Sequence, residues 1–390
     1  MKNIKAFVLA FALFLLTAGG IHALSKNGLP EYHIRYGTWM EDAKYASVNG
    51  LKKLLDAGQT IPIFGSSELR HGQNSAYQGN HIFEGADMKP VFIGQAGYQS
   101  LTHAITIGAL GERLAGRKAV LIISPQWFKE GGVKQDAFLS AFSEDVFIEF
   151  LENQAISKET KQYVVNRVNA LAAGNEEMGV RIERDVKWYG EGAGNPAQNI
   201  FAQGHRLLIK ERTDMGLFLK SSLCGMRKKE MQGNEKAIDF TKLYRDAEEE
   251  GVQIASHNEY GMFDRVYERD YQKQIESGQG KKPRYTIESE EYEDIRCFLE
   301  ICGANQVEPL VVMLPFNGYW YDYLKLTEEE RQAIYDKAEA LVKEFGAAYA
   351  DLSGNEYEPY YFEDNSHPAL KGLVDLNEQI YDFYKEYETK

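Results

Sequence analysis

The chain has 390 residues, 44% of them hydrophobic and 26% charged, with a formal charge of -14. That is enough to bury a substantial core, as one large domain with an insertion or as two smaller ones. The acidic balance excludes a general nucleic-acid binder, whose phosphate contacts need a net basic surface, so an anionic substrate would have to meet a local patch. Cys224, Cys297 and Cys302 form an odd set without metal-ligand spacing, so neither a disulfide framework nor a zinc site is expected.

Lys2 and Lys5 precede residues 6–24, a run with no Asp, Glu, Lys or Arg that matches the ~20 residues needed to cross hydrocarbon. With the lysines held in the cytosol, the rest of the chain lies outside. The rival reading is a cleaved signal peptide. Ile21-His-Ala23 is a poor small-x-small site and the run is longer than an ordinary signal core, which favours an uncleaved single-pass anchor over residues 1–24. A polar tether is expected over 25–46.

A short helix over 49–57 leads into Ile61-Pro-Ile-Phe-Gly-Ser-Ser-Glu-Leu69, an apolar strand that stops at Gly65 and turns at a serine pair. Residues 90–97 read as a strand and a glycine-rich turn, 101–114 as a helix and 118–123 as a buried strand closed by Ser124-Pro-Gln-Trp-Phe128. This alternation implies right-handed βαβ crossovers and a parallel sheet. From 136 to 290 the pattern becomes charged and largely helical, with 251–255 its one strand candidate. We treat this block as an insertion at the sheet's carboxyl edge, shaping a groove or merely covering a face. The α/β rhythm resumes with a helix over 291–301, a strand over 309–314 and an aromatic loop over 315–323. Thr327 and Glu330 form a capping box before another helix, residues 347–352 a last strand, and 369–387 the final helix. The core is thus expected over 47–135 and 291–390.

In an open parallel sheet the loops after the strands emerge at one edge, where ligands bind. Those loops carry Ser66 and Ser67, Gly94 and Gln95, Ser124 and Gln126, Asn317, and Asp364 with His367. A strand ending in Gly-x-Ser lifts one hydroxyl onto that edge beside free backbone N–H groups. Gly-Ser-Ser is also a common turn, and Asp364-Asn-Ser-His-Pro368 is also a good N-cap with Pro368 suited to a first helical turn. Together they place a carboxylate three residues from an imidazole whose far nitrogen can face a serine. The remaining histidines of the exported part show no ligand spacing, so no metal is expected, and no cofactor is implied.

Gly65-Ser-Ser67, Gly94, Ser124-Pro-Gln126 and Asp364-x-x-His367 resemble, in order and spacing, the four blocks of the SGNH (GDSL-like) hydrolases. More closely, Phe-Gly-Ser-Ser-Glu-Leu69, Gly94-Gln-x-Gly97, Ile-Ser-Pro-Gln-Trp-Phe128, Pro315-x-Asn-Gly-Tyr-Trp-Tyr-Asp-Tyr323 and Ser-His-Pro368 resemble the DltD family of D-alanyl-lipoteichoic acid biosynthesis proteins of Gram-positive bacteria. The resemblance spans nearly the whole chain and implies a three-layer, flavodoxin-like α/β fold with an N-terminal transmembrane helix. It implies Ser67 as nucleophile, His367 as general base and Asp364 as its orienting partner, with the Ser67 and Gly94 N–H groups as oxyanion donors. Two departures stand out: SGNH hydrolases have Asp or Asn where Ser66 stands, and an Asn in the block where Gln126 stands.

Trp127, Tyr319, Trp320, Tyr321 and Tyr323 read equally as packing or as groove walls. The basic runs 227–229 and 281–284 read as solvated surface or as a local patch for phosphates. The resemblance implies an extracellular serine-dependent acyl transferase of teichoic acid D-alanylation. Its partners would be lipoteichoic acid (polyglycerol phosphate) as acceptor, a membrane-embedded acyltransferase and the bilayer. The alternatives are an esterase or thioesterase on D-alanyl or wall-polysaccharide esters, and a non-catalytic acceptor-binding scaffold.

Overall fold

The computed structural model describes residues 2–192, 194–227 and 237–386. Its centre is a five-stranded, all-parallel sheet in the order β2-β1-β3-β4-β5. The strands are β1 Thr60–Phe64, β2 Lys89–Ile93, β3 Lys118–Ile123, β4 Glu308–Met313 and β5 Ala348–Asp351. Their apolar runs are nearly unbroken because both faces are covered. In β3, Ala119, Leu121 and Ile123 join one core cluster, and Val120 and Ile122 the other. The chain steps from β1 outward to β2 and returns past β1 to β3, so the loops after β1 and β3 part at a topological switch point.

One layer contains the helices Val48–Leu55, Ser100–Leu110, Glu291–Ala304 and Glu328–Glu344, the last with its capping box. The other contains Lys371–Lys385. The block 136–290 contributes to both: Glu144–Glu152 packs on Ser100–Leu110, and Phe240–Ile254 packs on Lys371–Lys385. The strand expected at 251–255 is instead the end of Phe240–Ile254. Phe240, Ala247 and Gly251 bury one helical face there, and a Cβ on Gly251 would lie 2.3 Å from the Tyr360 ring. A five-residue apolar window was too short to separate the tail of a helix from a strand.

The N-terminal helix Lys2–Gly28 contains an apolar stretch, Ile4–Ser25, with mean hydropathy 2.1 and none of its best window buried. It is long and apolar enough to be a membrane anchor or a signal sequence. Residues 25–46, expected as a tether, pack onto the domain through Leu29, Tyr36 and Tyr45. Lys44 is fully buried there and donates to the carbonyls of Gly37 and Trp39, both at 2.7 Å. The final helix starts at Lys371 rather than near Pro368, which instead bridges to Phe362 in an extended loop. Tyr387, the expected last residue of that helix, lies outside the described residues, as do Lys228 and Lys229 of one basic run.

Candidate active site

The turn after β1 is built around a buried carboxylate. Glu68 folds back so that Oε1 accepts the Ser66 N–H at 2.5 Å. A Cβ on Gly65 would sit 2.4 Å from that oxygen and 3.0 Å from Leu69 Cγ, so a side chain at position 65 would displace the Glu68 carboxylate. Burial pushes the Glu68 carboxyl up, against the Ser66 and Glu68 N–H groups and the nearby His367 and His71. Ser67–Leu69 make a tight 3₁₀ turn, and the Ser67 carbonyl accepts from Arg70 and His71. The two serines part here. Ser66 is buried, its hydroxyl donating to the Gln95 carbonyl at 3.3 Å and accepting the Gly97 N–H at 3.2 Å, which ties this turn to the loop after β2. Ser67 is half-buried and faces the end of the chain.

The Ser67 hydroxyl lies 2.8 Å from His367 Nε2, across a sequence separation of 300 residues. His367 Nδ1 lies 2.7 Å from Asp364 Oδ2, while Asp364 Oδ1 accepts the N–H groups of Ser366 and His367, each at 2.8 Å. One carboxylate thus caps its own turn and orients the imidazole. Burial acts to raise the Asp364 pKa, but His367 and the two N–H donors hold it below the usual carboxylate range. Such a chain of hydroxyl, imidazole and ionised carboxylate is what activates a serine as a nucleophile.

The loop carrying Asp364 and His367 is clamped from several sides. Fully buried Asn317 accepts the Trp320 N–H with Oδ1 and donates with Nδ2 to the carbonyls of Tyr260 (2.9 Å) and Asp364 (3.4 Å). It therefore holds the loop instead of lining a groove. From the 136–290 block, the Phe263 N–H donates to the Glu363 carbonyl, and the Tyr271 hydroxyl to Asn365 Oδ1 at 3.1 Å. Trp320 packs edge-on against Tyr271, and Trp127 sits in the core; with 3% and 6% exposure their rings are spent on packing. Gln126 accepts the Ser124 hydroxyl with Oε1, and its amide nitrogen is buried.

Gly94 has φ +136°, and a Cβ there would fall 1.8 Å from the Gly65 carbonyl oxygen. The ends of β1 and β2 therefore touch backbone to backbone at this glycine. Beneath them His103 packs against Phe64, and burial pushes its pKa down to about 3, keeping it neutral.

Sequence reasoning missed the residues that support the serine turn. The amide of Gln78 donates to the carbonyls of Glu68, Leu69 and His71. His71 stacks on His367 with ring centroids 3.5 Å apart and planes 8° from parallel, and its Nδ1 lies 3.0 Å from Glu363 Oε2. The only signal was local: His71 follows Ser67 by one helical turn and Glu363 precedes Asp364. His71, Asp364 and His367 hold potential ligand atoms within 4.8 Å of one another. Imidazole lone pairs lie in the ring planes, and two parallel stacked rings cannot aim both at one tetrahedral ion.

Burial acts to lower the His71 pKa, but Glu363 overcomes it and raises the value. A raised pKa stabilises the fold fully below the unfolded value of about 6.5, and this contribution is lost as pH rises through the folded value. A His71→Gln chain is therefore expected to melt below the parent at pH 5.5, with the gap closing toward pH 9. The pair is partly exposed and solvent-screened, so the largest difference should be about 1 kcal/mol or less. Thermal melts across that pH range check it.

Residues 38–385 match the family model described as DltD protein. The chain is 28% identical over 336 residues to Protein DltD of Bacillus subtilis (strain 168), covering 83% of this chain and 82% of that protein. It is 27% identical over 340 residues to Protein DltD of Staphylococcus aureus (strain NCTC 8325 / PS 47), covering 84% and 82%. With Protein DltD of Lacticaseibacillus rhamnosus it shares 25% identity over 342 residues, covering 83% and 77%. A family match over most of the chain, joined to its five-stranded parallel sheet, places the chain in the DltD family.

Proposed function

We propose that the chain is an extracellular, membrane-anchored acyl transferase that passes D-alanyl groups to lipoteichoic acid through an ester on Ser67. DltD family proteins are involved in D-alanylation of teichoic acids, and the observation that carries the chemistry is the contact of Ser67 with His367 and of His367 with Asp364. Ser67 Oγ attacks the carbonyl of a D-alanyl donor while His367 Nε2 takes the hydroxyl proton. The oxyanion that forms is met by the backbone N–H groups of Ser67 and Gly94. Collapse breaks the bond to the donor's leaving group, which takes the proton from His367. A glycerol hydroxyl of the acceptor then attacks the seryl ester, giving its proton to His367, and Ser67 leaves with that proton. The donor reaches this side of the membrane through a membrane-embedded acyltransferase partner.

A fluorophosphonate probe is expected to label Ser67, and mass spectrometry of the chain purified from cells to find a D-alanyl ester on that serine. A Ser67→Ala chain should take no label and should leave the wall without D-alanine esters. Normal wall D-alanine in cells carrying Ser67→Ala would sink the proposal. A labelled serine combined with unchanged wall esters would point to hydrolysis.

A further inference from the structure

We infer that His71 is a positioning residue for the reaction at Ser67: its ring keeps the His367 imidazole in line between Ser67 and Asp364, and the positive charge that Glu363 holds on it keeps a proton off His367. The inference rests on the reading of Ser67, His367 and Asp364 as an acylating triad, and adds to that triad a device that preserves its base as the pH falls.

The two imidazoles lie face to face, with centroids 3.5 Å apart and planes 8° from parallel. Each is tied to a part of the site. The His71 N–H donates to the Ser67 carbonyl at 2.9 Å, and the His71 carbonyl accepts from the Gln78 amide at 2.7 Å, so the stacking ring and the nucleophile ride on one turn. His71 Nδ1 lies 3.0 Å from Glu363 Oε2, and the Glu363 N–H donates to the His367 carbonyl at 2.9 Å. The carboxylate that pins one ring is thus bonded to the backbone of the other. This hold does not depend on the Ser67 hydroxyl. Once Ser67 is acylated, His367 loses its partner at Nε2 and must still stay in place to take the next proton. Asp364 then holds one end of the ring, and the flat face of His71 stops it from turning.

Charge acts on the same ring. Glu363, Asp364 and Glu68 all favour a proton on His71, and together they outweigh the burial that opposes it. Beyond them Arg269 and Asp270, bonded to each other at 2.8 Å and of opposite sign, lie within electrostatic reach of Glu363 and Asp364. A positive charge on a ring stacked at 3.5 Å disfavours a second one on its neighbour. The stacked pair therefore takes its first proton on His71, which leaves His367 free as the base. His71 is partly exposed, so that proton exchanges with water.

The test is the rate of fluorophosphonate labelling of the full chain from pH 5 to pH 9, with a melting curve at each pH to verify the fold. Three variants separate the ring from its charge. His71→Phe keeps a flat ring without a charge, so the acid limb of the labelling profile is expected to move up by about one pH unit, with the rate at pH 8.5 within about twofold of the parent. Glu363→Gln keeps both imidazoles but lets burial take the proton from His71, and its acid limb is expected to move up too. A direct effect of Glu363 on His367 has the opposite sign, because removing a carboxylate would move the limb down. His71→Ala removes ring and charge together, and is expected to slow labelling at pH 8.5 by roughly tenfold or more. Acid limbs that stay put or move down in His71→Phe and Glu363→Gln, with the parent labelled at Ser67, would overturn the inference and leave the triad standing. A His71→Phe rate reduced by one factor at every pH would do the same, since it would make the ring a packing element alone. His71→Ala labelled as fast as the parent at pH 8.5 would overturn the positioning role. A parent chain that takes no label would overturn both the inference and the triad reading.

Discussion

An Asp364→Asn chain is expected to fold normally and to lose its reaction with fluorophosphonate probes by on the order of 10⁴-fold, the loss seen when the orienting carboxylate of a Ser-His-Asp triad becomes an amide. The geometry explains both halves of that expectation. Asp364 Oδ1 accepts the backbone N–H groups of Ser366 and His367, and an asparagine oxygen in the same place keeps both bonds. The atom facing His367 Nδ1 would become an N–H donor in place of Oδ2. The imidazole would then carry its proton on Nε2 and point a donor at Ser67, which needs an acceptor there. The lost carboxylate would also leave the imidazolium without its counter-charge. The rate of fluorophosphonate labelling at fixed probe concentration, with a melting curve to verify the fold, checks the prediction. Labelling within a factor of ten of the parent would mean that Asp364 serves only as the cap of its turn.

The second large effect is expected at Gly94→Ala. Its φ of +136° is open essentially to glycine alone, and the new methyl would press on the Gly65 carbonyl at 1.8 Å. Backbone strain of about 1–3 kcal/mol and overpacking of similar size add up to a destabilisation of about 2–6 kcal/mol. Because the displaced carbonyl belongs to the residue before Ser66, the turn that presents Ser67 should move with it, and labelling should fall along with stability. Gly116→Ala is the matched control. Its φ is +70° and nothing lies within 4 Å of the added carbon, so strain alone of about 1–2 kcal/mol is expected, with labelling unchanged. Chemical denaturation of the three chains separates the two contributions. Equal losses at the two glycines would show that the contact between the ends of β1 and β2 is not tight.

Much of the architecture was legible before any coordinates. Residues 118–123 and 309–314 are too apolar on consecutive positions to face water on either side, so a doubly covered parallel sheet followed from those runs alone. A parallel sheet brings the loops after its strands to one edge, which is why Ser67, Gly94, Asp364 and His367 were expected as neighbours. The stretch 251–255 was misread because five apolar-rich residues carry no usable period. Asn317 was expected at the ligand-binding edge, and Trp127 and Trp320 were open between packing and groove wall, for a different reason. A polar or aromatic residue in a loop has the same sequence signature whether it faces a groove or a buried partner, and all three turned out to be buried.

The sequence by itself determined the sheet, the apolar N-terminal helix and the placing of the serine, the carboxylate and the imidazole in loops that follow strands, because each follows from local periodicity and chain direction. Tertiary structure alone decided that Ser66 is tied down while Ser67 is presented, that His71 stacks on His367 with Glu363 behind it, and that residues 136–290 add a helix to each layer and clamp the histidine loop. Those arrangements depend on contacts such as His71 with Glu363, 292 residues apart. Their partners are selected by packing in three dimensions, and no local spacing encodes which side chains meet.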